Sequence, residues 1–419
     1  MRVLVISQLF PPDMGGGATR AYNVVKGLTL NGCDVTVIAS FPHYPYGKIP
    51  EKYRWKPIVV EWMNGFRVIR TLMLPIPSQG LGKRILIFAV FTISSLFALP
   101  IIGKIDVIWA ANPNIISVFP SIIYAIIKRC PIVQNADDLW PEDLYELGLL
   151  NEKSPLAKLA ELLAKISYKI SKAITPISPG YIKMICEKYS INPNKVYVIR
   201  AGVDLNKFKA YPKADKRNVF KVLYSGAFSV AYDFDQVLLA AKLLEDVKDV
   251  EFVLQGGGEL APYLKARVRE LKLKNVKIVD NIMSREEVAK LLSEADALIL
   301  PLRDFGRPYL GISSKLYEYQ AAEKPIICCA EGQPAEHIKT TNSGIVVKPG
   351  DYKALAEAVI WLKKNPKLAW EMAENGRKYV EEEMCIEVIG SKMKEIFESI
   401  SLSEIKGVSR RRGSGVRRC

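Results

Sequence analysis

Histidine is nearly absent from this chain of 419 residues: His43 and His337 are the only two. Catalysis by a histidine general base is therefore poorly supplied. Cysteine occurs seven times, at Cys33, Cys130, Cys186, Cys328, Cys329, Cys385 and Cys419. The set is odd and has no C-x-x-C spacing, so neither a disulfide framework nor a zinc site is suggested, and the expectation is a reducing compartment. The start, MRVLVISQLF, has one basic residue and an apolar run too short for a signal peptide; it reads as a strand. Acidic charge is in deficit, with 44 Asp+Glu against 59 Lys+Arg, a net +15. Such a balance attracts something anionic: a membrane surface, nucleotides or nucleic acid.

What is present is a folded composition, 49% hydrophobic and 25% charged, in a length that suits two domains. RVLVIS (2–7), a helical period over 18–30, the Asn31-Gly32 break and DVTVIA form one βαβ unit. KVLYSG (221–226), a helix over 235–244 and EFVLQGGG (251–258) start a second, with the charged, apolar-poor 206–218 between the halves as a linker. NVKIV follows, then the capping box Ser284-x-x-Glu287, then ALIL ending at Pro301. Two such starts predict an α/β protein of two doubly wound, Rossmann-like domains.

Several stretches bear on chemistry. Gly15, Gly16 and Gly17 lie between the first strand and its helix, where backbone N–H groups receive phosphate. A dinucleotide fingerprint fails, because Arg20 occupies the third glycine position and the second strand ends in Ala39-Ser40 without an acidic residue. In RPYLGISSKLYEYQAAEKPII (307–327) either Ser313 or Ser314 caps a helix, and Glu318, in its second turn, completes no capping box. Glu318 thus follows a strand's carboxyl end, where open α/β sheets bind ligands; the competing reading is a solvated helix charge. Asp233-x-Asp235 matches a metal-binding D-x-D, but Asp235 precedes a helix and capping is the simpler reading.

Residues 85–102 carry no charge over 18 residues, the lower limit for a membrane span. Strands on both sides of them belong to one domain, so a buried or interface-lying helix is expected. Lys83, Arg84, Lys104, Lys128 and Arg129 flank this run and IISVFPSIIYAII. Leu156, Leu159, Leu163, Ile166 and Ile170 recur at helical spacing after Ser154-Pro155 and are expected as core. The end, KGVSRRRGSGVRRC, holds six basic groups and no acid and reads as disordered.

Together, PPDMGGGATR, DDLWPED (137–143), VIRAGVDLNKF (198–208), SSKLYEYQAAEKPI (313–326) and SGIVVKPGDYKALAEAV (343–359) resemble the retaining nucleotide-sugar glycosyltransferases of family 4, in order along residues 1 to about 400. The resemblance implies the GT-B fold, two Rossmann-like domains facing across a cleft: an acceptor domain over 1–205, with helix 381–400 packing back on it, a nucleotide-sugar domain over 206–380, and a tail over 401–419. It implies that Glu318 binds the nucleotide ribose and that the backbone at Gly311, Ile312 and Ser313 cradles the sugar or distal phosphate, with Ser314 a further donor-binding candidate. Ser225 and Gly226 join these and Gly15 to Gly17 as donor-binding candidates. Two departures stand out. Leu310 replaces a family glutamate, and SGAFSVAYDFDQ lacks the family's Arg and Lys, with Ala227 at the Arg position. Lys315, one turn before Glu318, is the expected replacement cation for the diphosphate. Asp137 stands where relatives carry a histidine. Asp137 and Asp138 are catalytic candidates, and His43 and Trp140 acceptor-binding candidates.

The expected activity is retaining transfer of a sugar from a nucleotide donor, uridine diphosphate-linked, to a membrane-associated glycan or polyprenyl-linked acceptor, on the cytoplasmic membrane face. No cofactor and no metal are expected; the nucleotide sugar is a co-substrate. A nucleotide-sugar epimerase on the same fold needs cleft acid/base groups not found here. A basic nucleic-acid or membrane binder lacks any recognised module, and nucleic acid is not an expected partner.

Overall fold

The short β-branched runs that open each half become central strands because both faces of a parallel sheet are covered, which favours near-continuous apolar runs. In the computed structural model, which describes residues 1–44, 46–76, 81–112, 114–146, 148–208 and 219–413, they nucleate two units. One comprises Met1–Gly202 together with the chain from Ile386 onward, the other Val203–Cys385. Most of the expected linker, 209–218, lies outside the described residues.

The first unit contains β1 (Arg2–Ser7), α1 (Gly16–Leu30), β2 (Asp34–Ser40), β3 (Ile58–Met63), β4 (Phe66–Thr71), α2 (Leu81–Ser95), β5 (Val107–Asn112), α3 (Asn114–Lys128), β6 (Ile132–Ala136), α4 (Glu142–Glu146), α5 (Pro155–Ile170), β7 (Ala173–Pro176) and α6 (Gly180–Tyr189). Its sheet runs β3-β4-β2-β1-β5-β6-β7. All neighbours are parallel except the β3–β4 hairpin at the edge. Asn64 and Gly65 turn that hairpin with φ of 47° and 89°, the positive pair a two-residue turn requires. Leu4, Ile6, Ile38 and Ile108 form one core with Ile87 and Phe91 of α2 and Tyr124 of α3.

Two helices depart from expectation. On α5 the buried residues are Ala157, Ala164, Ser167 and Tyr168. Leu156, Leu159, Ile166 and Ile170, expected as core, are exposed, and Leu163 is only half-buried. Small side chains let the helix lie close on its neighbours, so the leucine stripe points away. The α2 stretch divides: Ile87 and Phe91 are buried, whereas Ile85, Leu86 and Ile93 are exposed.

The second unit comprises β8 (Phe220–Ala227), α7 (Asp235–Leu243), β9 (Val250–Gly257), α8 (Ala261–Glu270), β10 (Val276–Asp280), α9 (Arg285–Ser293), β11 (Ala297–Pro301), α10 (Ser314–Ala321), β12 (Ile326–Cys329), α11 (Gln333–Thr341), β13 (Gly344–Val347), α12 (Tyr352–Lys364) and α13 (Pro366–Tyr379). Its six strands are all parallel, in the order β10-β9-β8-β11-β12-β13. The capping box of Ser284 and Glu287 opens α9 with both reciprocal bonds formed.

The last helix, α14 (Ile386–Gly413), returns to the first unit and packs on α1. Their backbones touch at two glycines: a Cβ on Gly27 would stand 2.1 Å from the Ile386 carbonyl oxygen, and one on Gly390 2.2 Å from the Gly27 carbonyl carbon. Lys394 donates to the Asn31 carbonyl at 3.0 Å, and the Asn31 side chain donates to the Glu387 carbonyl at 2.9 Å. Residues 401–413, expected as disordered tail, continue this helix, since extension of a formed helix carries no nucleation cost and no proline interrupts it. Residues 414–419 lie outside the described residues.

Candidate functional site

In the second unit the strand order reverses between β8 and β11. Parallel connections leave opposite ways from that point and open a crevice at the carboxyl ends, the position where such sheets hold ligands. Ser225, Gly226 and Ala227 end β8 there, and the loop after β11 leads into α10. Ser313 is the N-cap of α10; its hydroxyl accepts from the Lys315 N–H at 3.4 Å. Its neighbour Ser314 is the first helical residue. Ile312 is buried, and Gly311 is half-buried beside it.

Lys315 fills the space left by the missing side chain of Gly226. A Cβ there, where φ is 149°, would meet the Lys315 Cε at 2.1 Å and Nζ at 2.7 Å. The same ammonium lies 5.2 Å from the centre of the Tyr232 ring. Burial pushes the Tyr232 phenol up, but the Lys315 charge and hydrogen bonds with Lys315, Ser313 and Tyr224 bring it below its ordinary value. A cation thus sits at the end of β8, where the chain itself carries Ala227.

One turn on, Glu318 is 8% exposed and faces Arg285, the first residue of α9, whose Nη2 donates to its Oε1. The Arg285 guanidinium in turn lies 5.0 Å from the Phe208 ring centre. Tyr319 fixes the helix to β8, its hydroxyl accepting from the Ser225 N–H at 3.2 Å and donating to the Ser225 carbonyl at 3.3 Å. The Ser225 hydroxyl donates to Gln255 at 2.6 Å, and Gln255 donates to the Asn281 carbonyl at 2.8 Å. The ends of β8, β9 and β10 are thereby tied together.

The D-x-D carboxylates are engaged elsewhere. Asp233 accepts the Gln236 N–H at 3.3 Å in the turn before α7, whose N-cap is Phe234, so Asp235 is not the cap. Asp235 is the first helical residue and accepts from Tyr263 and Arg267. Among the described residues no group of three His, Cys, Asp or Glu converges as a metal site.

In the first unit the candidates also collect at strand carboxyl ends. Gly15 has φ of 106° and caps α1, with Gly16 and Gly17 in the first turn. Buried Arg70 ties the loop before it to β2 by donating to the Phe10 carbonyl at 3.3 Å and the Ser40 carbonyl at 3.4 Å. Asp13 accepts the N–H groups of His43 and Tyr44, both at 2.8 Å. Burial raises the Asp13 pKa against the pull of His43, those two N–H groups and Arg70. His43 itself is buried, with Nδ1 3.0 Å from the Phe41 carbonyl oxygen. A carbonyl only accepts, so Nδ1 carries a hydrogen there.

After β6, Asp137 pairs with the buried Arg20 at 2.7 Å, and Arg20 also donates to the Thr175 carbonyl at 3.2 Å. Asp138 keeps an exposed side chain, yet the protein packed around it, with the like charges of Asp143 and Asp137 and against Arg20, pushes its pKa up to about 7. Trp140 stands edge-on to Phe88 of α2, with 5.7 Å between ring centres. Arg20, Tyr232, Arg285 and Tyr319 escaped the sequence reading as site residues. Only Tyr319 carried a signal, lying one turn from Lys315 on the same short helix.

Comparisons with known proteins cover both units. Residues 14–207 match the model described as Glycosyltransferase Family 4, and residues 205–379 the model described as Glycosyl transferases group 1. WcaI of Escherichia coli K12, a glycosyl transferase named for colanic acid biosynthesis, is 23% identical over 89% of this chain and 96% of its own. Against other curated relatives the match is partial, spanning 46%, 39% and 60% of their lengths. Sucrose-phosphate synthase from Thermosynechococcus elongatus superimposes with a TM-score of 0.76 at 18% identity, over 96% of this chain and 100% of that one. Anabaena HepE in complex with UDP and glucose does so with a TM-score of 0.66 at 15% identity, over 95% and 100%. With two parallel Rossmann-like sheets of GT-B type and family matches running through both, the chain belongs to the glycosyltransferases of family 4.

Proposed function

We propose that this glycosyltransferase moves a sugar from a uridine diphosphate-linked donor to a glycan or polyprenyl-linked acceptor held at the cytoplasmic membrane face, with retention of the anomeric configuration. The observation that carries the reading is Lys315 lodged against Gly226 at the strand-order reversal of the second unit. In this reading the donor diphosphate lies along Ser225, Gly226 and the amino end of α10, from Gly311 to Ser314, where backbone N–H groups of the helix start and the ammonium meet its charge. Glu318, one oxygen held by Arg285, offers the other to a ribose hydroxyl. On the first unit, taken by itself, we propose Gly15 to Gly17 as phosphate-binding N–H donors, His43 and Trp140 as acceptor-binding residues and Asp137 and Asp138 as catalytic residues, as the family resemblance implies. HepE, bound to UDP and glucose, supports a uridine donor by fold likeness.

The acceptor hydroxyl attacks the anomeric carbon on the face the diphosphate leaves. The bond from that carbon to the phosphate oxygen breaks with its electron pair on the phosphate, and the acceptor's proton passes to that phosphate. Charge grows on the leaving group in the transition state, so a fixed cation lowers the barrier more than it aids binding. No cofactor and no metal enters this scheme.

The test pairs a panel of nucleotide sugars, read by acceptor-dependent release of nucleoside diphosphate, with Lys315→Ala. Turnover on the accepted donor is expected to fall about a hundredfold, or ~2.7 kcal/mol, with a smaller change in donor affinity and partial recovery in Lys315→Arg. Turnover is expected to persist in chelator. If chelator abolishes it, magnesium or manganese restores it and Lys315→Ala is near normal, Asp233 and Asp235 become the better site.

A further inference from the structure

We infer that the apolar face built by α2, α3 and α5 of the first unit is a docking surface for an anionic lipid bilayer. The inference rests on the lipid-borne acceptor reading for its purpose and on the exposed face for its physics. The three helices pack side by side, with α3 between α2 and α5. Each buries one side and presents aliphatic side chains on the other: Leu86 and Ile93 on α2, Ile126 and Ile127 on α3, Leu159 and Leu162 on α5. Ile93 is 62% exposed and Ile126 71%. Along the apolar run Gly82–Ile101 the buried residues are Ile87, Phe91, Ser94, Ser95 and Ala98, and the rest are half-buried or exposed. Scattered exposed leucines need no explanation, but three adjacent helices sharing such a face do.

Charge identifies the occupant. From residue 81 to 130 there is one acidic residue, Asp106, and it is bonded to Arg2. Lys83, Arg84, Lys104, Lys128 and Arg129 lie in the same span. Lys158, Lys165 and Lys169 recur seven and four residues apart along one flank of the α5 stripe, and the single acid of that helix, Glu161, pairs with Lys188 at 2.8 Å. An aliphatic strip bordered by lysine and depleted of acid is the pattern of a helix lying in the interfacial plane, its lysines reaching headgroup phosphates. A membrane span is excluded for α2, because Ile87 and Phe91 are fixed in the sheet's core.

The experiment is flotation of the full chain with vesicles of phosphatidylcholine, with and without phosphatidylglycerol, alongside donor binding and light scattering. The protein is expected to float with the anionic vesicles and to be released by salt only in part, because insertion of apolar groups is not screened. Leu159→Asp with Leu162→Asp should lower vesicle affinity about tenfold or more. Lys158→Glu with Lys165→Glu and Lys169→Glu should remove the preference for anionic lipid, and both variants should bind donor as the parent does. The inference is overturned if the parent stays unbound at low salt, or if both variants bind vesicles as the parent does. It is equally overturned if the leucine variant splits a dimer while vesicle binding is unchanged, which would make the face a contact between copies. A protein that floats but accepts no nucleotide sugar removes the proposed function and leaves this surface; one that turns over without floating does the reverse.

Discussion

Arg285 and Glu318 show how a side chain's role depends on its partner. An ionised glutamate in a largely buried setting needs a donor, and the guanidinium supplies one while leaving the second carboxylate oxygen for another. If that oxygen takes a ribose hydroxyl, Glu318→Ala should weaken donor binding by about 2–4 kcal/mol, the loss of bonds to a charged acceptor. Arg285→Ala should weaken donor binding less, since it removes a positioning contact and leaves the carboxylate in place. Calorimetric titration of nucleotide into folded variants checks both, and unchanged affinity in Glu318→Ala would return that residue to a structural ion pair. Lys315 and Glu318 were legible in the sequence because three residues on a helix place them on one face after a strand end. Arg285 and Tyr232 were not, because only the tertiary fold brings them to α10 from distant strand ends.

Helices and strands were legible where a period and a boundary agreed. The βαβ starts, the capped α9 and the strand ending at Pro301 lie where the alternation, the Asn-Gly break and the Ser-x-x-Glu signature put them. α5 is the instructive failure. Periodicity says which residues share a face; it does not say whether that face or the opposite one meets the sheet, and here Ala157 and Ala164 win by allowing close approach. A similar economy of size governs α1 against α14. With carbonyl groups about 2 Å from any added Cβ, Gly390→Val should force the helices apart, and the mutant is expected to unfold some 2–4 kcal/mol more easily in urea. Gly32→Ala, where no atom lies within 4 Å but φ is 77°, should cost less, on the order of 1 kcal/mol from backbone strain alone. Equal midpoints for the two variants would contradict the close helix contact.

At the scale of the molecule the second unit is an insertion. Its ends meet, Val203 donating to the Met384 carbonyl at 2.8 Å and bridging to Cys385. A chain of residues 203–385 is therefore expected to fold alone, with a cooperative urea transition and α/β circular dichroism. Residues 1–202 alone should lack the α14 cover over α1 and bind a hydrophobic dye more strongly than the full chain does. A non-cooperative transition for 203–385 would show that the unit draws its stability from elsewhere in the chain.

The return of α14 also sets a timetable. On a ribosome adding roughly 5–20 residues per second, the first sheet emerges early, but the helix that closes its α1 side is made only after the whole of the second unit. For roughly ten to forty seconds at that rate the bare glycine groove of α1 faces the cell, while the inserted unit gains both of its ends and finishes first. The part of the protein translated first is thus the last to mature, and a nascent chain held at the point where Cys385 has cleared the ribosome would carry one completed unit and one open to chaperones.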